Sequence, residues 1–122
     1  MMAPFPQDWE LIGLFACEPA LLDPGLPWAY NHLTFATENG SDRIVCEIEP
    51  GYEILKFRWW RGGVLCVDLD CNWVRSLRVD SSSPEHEGLT AEFRYGGEFV
   101  RPLHIQLRPH VLVSWGTCVQ FR

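Results

Sequence analysis

The stretch Lys56-Phe57-Arg58-Trp59-Trp60-Arg61-Gly62-Gly63-Val64-Leu65-Cys66-Val67-Asp68-Leu69-Asp70 decides how the chain is read. Two runs rich in aromatic and β-branched residues flank a glycine pair, as in two antiparallel strands joined by a tight turn. Side chains in a strand alternate between faces, so turn length determines which residues meet. A two-residue loop sets Phe57 opposite Asp68 and mixes the faces. A three-residue loop with a glycine bulge sets Trp59 opposite Val67 and Phe57 opposite Leu69. It also sets Arg58 opposite Asp68 and Lys56 opposite Asp70 on the reverse face. This second register separates an apolar face from a charged one and is the one expected. An exposed cross-strand ion pair contributes only about a few tenths of a kcal/mol, so these pairs fix register more than they add stability.

The same test works toward the N-terminus. Asn39-Gly40 is a strong hairpin signal; a two-residue turn there pairs Phe35 with Ile44 and Leu33 with Cys46. Glu49-Pro50-Gly51-Tyr52 carries Pro and Gly where a type II turn takes them, and pairs Cys46 with Leu55 and Ile44 with Phe57. Four strands, roughly 31–38, 43–49, 52–61 and 65–71, thus share one apolar face. A shorter strand is expected around Leu77 and Val79. The segment 80–88, Ser- and Glu-rich with Pro84, reads as a polar loop. Leu89, Ala91 and Phe93 then alternate with polar neighbours. After Gly96-Gly97, so do Leu103, Ile105 and Leu107, and finally Val111, Val113 and Trp115.

The first 30 residues differ. Pro6 and Asp8 are helix start signals, and Trp9, Leu11, Ile12 and Phe15 form a one-sided stripe. Pro19, Pro24 and Pro27 break the next segment into a loop that should pack Leu21, Leu22 and Trp28. The expected architecture is one domain over 1–122. It is mainly β (α+β at most), an antiparallel meander of seven to eight strands forming a sandwich, curved sheet or barrel. One short N-terminal helix completes it. Its parts are 1–30 (helix and Pro-rich loop), 31–79 (first meander), 80–88 (polar loop) and 89–122 (C-terminal hairpin and final strand).

Composition narrows function. Hydrophobic residues make up 47% of the 122 residues and charged residues 21%, enough for a packed core and too apolar for a disordered chain. A net charge of −6 disfavours nucleic acid and anionic membranes as partners and favours a basic protein. No apolar run is long enough for a membrane helix. Five cysteines without framework spacing suggest free thiols and a cytoplasmic location.

Chemistry-bearing patterns are sparse. No close Cys or His pairs suggest a metal, and Cys46 falls on the core face. His32, His86, His104 and His110 are scattered, and His104 should face Glu92 across a hairpin. Asp68 and Asp70 share a face, yet their basic neighbours Arg58 and Lys56 suit an ion-pair ladder better than general acid catalysis. No catalytic residue, cofactor or metal is therefore expected. What remains is a surface of Tyr52, Ile54, Lys56, Arg58, Trp60, Asp68 and Asp70. It combines aromatic and arginine residues of the hot-spot type with acidic groups, unless another layer of the same domain covers it.

The layout resembles small β-rich immunity proteins of bacterial polymorphic toxin systems. The likeness lies in the short helix, the meander, Val64-Leu65-Cys66-Val67-Asp68-Leu69 with Leu77-Arg78-Val79, and the terminal pair Leu103-His104-Ile105-Gln106-Leu107 and Val111-Leu112-Val113-Ser114-Trp115-Gly116. The resemblance implies a non-catalytic domain that binds and blocks a cognate toxin, with no functional residue carried over. The alternatives are a small-ligand-binding β-barrel with a Trp-lined pocket and a hydrolase using Asp68, Asp70 or His104. A homodimer through sheet faces or edges is compatible with the first two readings.

Overall fold

A computed structural model describes residues 1–83, 85–96 and 99–116. Among these residues one α-helix, α1 (Asp8–Phe15), precedes nine strands. These are β1 (Ala20–Leu21), β2 (Leu33–Asn39), β3 (Asp42–Glu49), β4 (Ile54–Arg61), β5 (Val64–Cys71), β6 (Val74–Ser83), β7 (His86–Phe93), β8 (Leu103–Arg108) and β9 (Leu112–Ser114). All neighbours pair antiparallel, in a five-stranded sheet ordered β1-β2-β3-β4-β5 and a four-stranded sheet ordered β6-β7-β8-β9. Their inner residues merge into one core: Leu33, Phe35, Cys46, Ile48, Leu55 and Phe57 from the first sheet, and Leu77, Leu89, Ala91, Leu103 and Ile105 from the second. The fold is thus mainly β and open-edged, a sandwich rather than a closed barrel. None of the six tryptophans is fully buried, so the Trp-lined interior that a ligand barrel needs is missing. No helix among the described residues is long and apolar enough to cross a membrane.

The β4–β5 hairpin pairs Phe57 with Leu69, Arg58 with Asp68, Lys56 with Asp70 and Trp59 with Val67, as the charge pattern requires. The extra residue sits elsewhere than expected. Trp60 pairs with Leu65 and Arg61 with Val64, so Gly62-Gly63 form a two-residue tip, both at positive φ, and the bulge falls at Cys66. The two preceding hairpins are each slipped by two residues from the expected register. Phe35 meets Cys46 and Leu33 meets Ile48, which moves the turn to Gly40-Ser41. Cys46 meets Phe57 and Ile48 meets Leu55, because a 3-10 turn over Pro50–Tyr52 plus Glu53 in the left-handed region makes a longer connection. A slip of two preserves faces, so every expected core residue still points inward.

Further corrections concern packing and extent. Trp9 is 73% exposed, and Leu14 takes its place with Leu11 and Phe15 on the buried face of α1. Gln7 starts the helix, its N–H donating to Glu10 Oε1 at 2.9 Å. The rings of Phe15 and Phe35 stack at 4.6 Å, and Trp28 meets Phe35 edge-on. Leu22, expected to pack, is 80% exposed. The segment 80–88 is not a loop, since β6 extends to Ser83 and β7 starts at His86. Polar residues continue a strand readily where its outer face is solvated. His104 lies opposite Thr90, not Glu92. The turn expected at Gly96-Gly97 falls partly on Gly97, which lies outside the described residues.

The sheets are tied together at one end. The Met2 N–H donates to Pro50 O at 2.9 Å, the Ala3 N–H to Arg75 O at 2.9 Å, and the Leu77 N–H to Pro4 O at 3.0 Å, so the N-terminal segment bridges both sheets. Glu53, almost fully buried, receives Arg94 Nη2 at 2.6 Å and Nε at 3.0 Å. The Arg94 hydrogen bonds hold the Glu53 carboxyl below the usual range, against the opposing effect of burial. Its folded pKa is depressed, so the pair stabilises the fold above the unfolded carboxylate pKa, and this contribution fades as pH falls through the folded value. Glu53→Gln should therefore flatten the loss of stability between about pH 5 and pH 3. At pH 7 it should cost about 1–2 kcal/mol. Urea unfolding at both ends of that range checks this, and an unchanged acid slope would refute it.

Candidate functional site

The outer face of the first sheet carries the residues singled out by alternation. Ile54, Lys56, Arg58 and Trp60 project from β4 and are half-buried, while Asp68 and Asp70 on β5 are exposed. Tyr52, at the end of the 3-10 turn before β4, is 79% exposed. The helix lies against β2 and β6 and buries its apolar side in the core, so it does not serve as the second layer over this face.

Charge on this face forms a chain across the strands. Arg58 Nε donates to Asp68 Oδ1 at 3.3 Å, and Arg58 Nη1 lies 3.9 Å from Glu47 Oε2. Glu47 Oε1 in turn meets His32 Nε2 at 3.0 Å, and His32 Nδ1 contacts Glu49. Beside the chain, the Arg43 guanidinium sits 5.0 Å from the centroid of its cross-strand neighbour Trp60. This cation–π contact attracts the guanidinium to the ring and restricts the freedom of both side chains.

His32, Glu47 and Glu49 did not stand out in the sequence as a group. His32 immediately precedes β2, and the observed register carries it alongside the outward carboxylates of β3. Partial burial works against a charged imidazole, but hydrogen bonds to Glu49 and Glu47 outweigh it and raise the His32 pKa above its ordinary value. Folding therefore favours the imidazolium. This stability is fully present below the unfolded pKa of about 6.5 and is lost as pH rises through the folded value. In an NMR titration the His32 ring should show a midpoint above that of a free histidine, and Glu49→Gln should bring it down. A midpoint unchanged by Glu49→Gln would contradict the assignment.

Next to His32 lies a cleft of about 270 Å³ lined by Leu22, Tyr30, Asn31, His32, Glu49, Gly51 and Tyr52. Asn31 builds its wall. Its Nδ2 donates to Asp23 O at 2.6 Å and Leu26 O at 3.1 Å, and its Oδ1 accepts from the Asp23 and His32 N–H groups. All four hydrogen-bonding positions of the amide are used, which pins the Pro-rich segment beside β2.

The groups considered for hydrolysis are not brought together. Asp68 and Asp70 sit on the outer face of the first sheet, while His104 projects outward from β8 in the second. His104 Nδ1 lies 2.9 Å from Thr90 Oγ1, whose hydroxyl donates to Asp80. That proton is directed away from the imidazole, and Thr90 is buried, so the hydroxyl is poorly placed to attack a substrate. Glu92 bonds to Arg75 instead. No group of His, Cys, Asp and Glu among the described residues could hold a metal ion. Burial raises the Cys46 thiol pKa strongly, and burial together with Asp70 pushes that of Cys71 up to about 11. Both are inert packing residues.

Sequence comparison finds no matching family model and no matching curated protein. Among solved structures, the chain is similar to one from a contact-dependent growth inhibition toxin–immunity protein complex of Klebsiella pneumoniae 342. The two share 13% identity with a TM-score of 0.75, and the match covers 93% of this chain and 96% of that one. The two chains therefore share a fold along nearly their whole lengths, with little sequence in common.

Proposed function

We propose that the protein is a bacterial cytoplasmic immunity protein that binds a basic toxin domain and blocks it without doing chemistry. The observation that carries this reading is the fold likeness to a chain of a toxin–immunity complex over 93% of the length. That complex contains two kinds of protein, and features of the present chain favour the immunity side. The net charge is −6, the candidate catalytic groups lie on separate faces, and the outer face of the first sheet offers Trp60, Tyr52 and Arg58 among carboxylates. Tryptophan, tyrosine and arginine are the residue types that dominate binding energy at interfaces, and complementary charge speeds encounter.

The test is co-expression with each toxin domain found encoded beside this gene. Growth should be restored in cells that carry both, and the two chains should co-purify. Growth arrest by this chain alone would place it on the toxin side, and failure to protect would overturn the immunity reading.

A further inference from the structure

The cleft beside His32 has a lining of contrasting chemistry. Tyr30 is 67% exposed and Tyr52 79% exposed. With the exposed Leu22 they line the cleft, so two aromatic rings and an aliphatic side chain stand open to solvent around it. Glu49 and His32 line it as well, in contact with each other. Glu49 engages His32 through Oε1, leaving Oε2 without a hydrogen-bond partner among the described residues. Glu47 adds a second carboxylate on the other side of the imidazole. Asn31 spends every hydrogen bond on the surrounding backbone, so the cleft is preformed and a ligand need not order it.

Aromatic faces around a carboxylate select a cation. The His32 imidazolium offsets part of the Glu49 charge, but Glu49 Oε2 stays open to a second cation, so a guanidinium or ammonium gains from that oxygen and from the ring quadrupoles. The cleft, with Tyr52 among its lining residues, is large enough at about 270 Å³ for one long side chain. We infer that it is a socket for a single arginine or lysine side chain of the protein partner, seated between Tyr30 and Tyr52 and ion-paired to Glu49. The source of that side chain rests on the immunity reading; the preference for a basic group does not.

The test separates the two. N-acetyl-arginine amide is titrated into the intact protein and followed by NMR, with the uncharged N-acetyl-citrulline amide as control. The arginine probe should bind at millimolar concentration, moving the signals of Tyr30, Tyr52 and His32. Glu49→Gln and Tyr52→Ala should each weaken it about fivefold. Tyr52 is exposed, so that variant folds normally. Equal shifts with the citrulline probe, or binding indifferent to both substitutions, would overturn the inference. In the co-expression assay, Glu49→Gln/Tyr52→Ala should weaken protection, and full protection by this variant would also overturn it. A wild-type chain that protects against no toxin refutes the immunity reading, while the probe titration still tests the socket.

Discussion

Phe57→Ala should lower stability by about 3–5 kcal/mol and the midpoint of thermal unfolding by roughly 12–20 °C. The position is the centre of the first sheet's inner face. Phe57 has no exposed surface, lies between Cys46 on β3 and Leu69 on β5, and faces the core shared with the second sheet. Removing the ring forfeits its transfer energy and leaves a void that two hydrogen-bonded strands cannot close. A domain of this size has only about 5–15 kcal/mol in all, so much of the margin disappears. Arg58 is the internal control. It neighbours Phe57 on the same strand but points outward into an exposed ion pair, so Arg58→Ala should cost under about 1 kcal/mol. Chemical denaturation of both variants decides the matter. Similar losses at the two positions would mean that β4 does not have one buried and one open face.

A different kind of strain is expected in the second sheet. Gly88 pairs with Gln106 beside a bulge, and a Cβ there would lie 2.2 Å from the Ile105 carbonyl oxygen. That neighbour is backbone in a paired strand and cannot swing aside, so Gly88→Ala should force β7 and β8 apart locally at a cost of about 1–3 kcal/mol.

These residues also show how far the sequence could be read. The inward faces of β2 to β5 followed from period-two alternation, which survives any even slip in register. For the same reason alternation could not choose between neighbouring even registers, and the first two hairpins are offset by two residues. Only β4–β5 carried extra information, because Arg58 and Lys56 match Asp68 and Asp70 in one alignment alone. The offset matters for the site. Pairing Leu33 with Cys46 puts His32 opposite Glu47, whereas the observed pairing of Leu33 with Ile48 carries it toward Glu49. The expected register thus already places His32 beside Glu47, and only its contact with Glu49 depended on an offset that the apolar pattern could not resolve. The exposed Leu22 was hidden by another cause. Its surroundings are fixed by the four hydrogen bonds of Asn31, a tertiary arrangement with no periodic signature. The long β6 was missed because a run of serines has a composition that loops and strands share.

The second large effect concerns binding. The triple variant Trp60→Ala/Asp68→Lys/Asp70→Lys should weaken affinity for the cognate toxin about a thousandfold and abolish protection in cells. Trp60 should supply about half of this loss. Its ring is braced by Arg43, so little side-chain freedom is lost when a partner covers it, and a central aromatic anchor is worth about 2 kcal/mol or more, roughly thirtyfold in Kd. That loss should fall on the dissociation rate. Asp68 and Asp70 are exposed on the edge strand β5, so reversing them should mainly slow association with a basic partner, and the slowing should diminish at high salt. None of the three residues belongs to the buried core, and the thermal midpoint should move by only a few degrees. Surface plasmon resonance at two ionic strengths separates the two rates. His104→Ala, on the outer face of the other sheet, supplies the control. Wild-type affinity in the triple variant, or a larger loss from His104→Ala, would move the binding surface away from β4 and β5 and onto the second sheet.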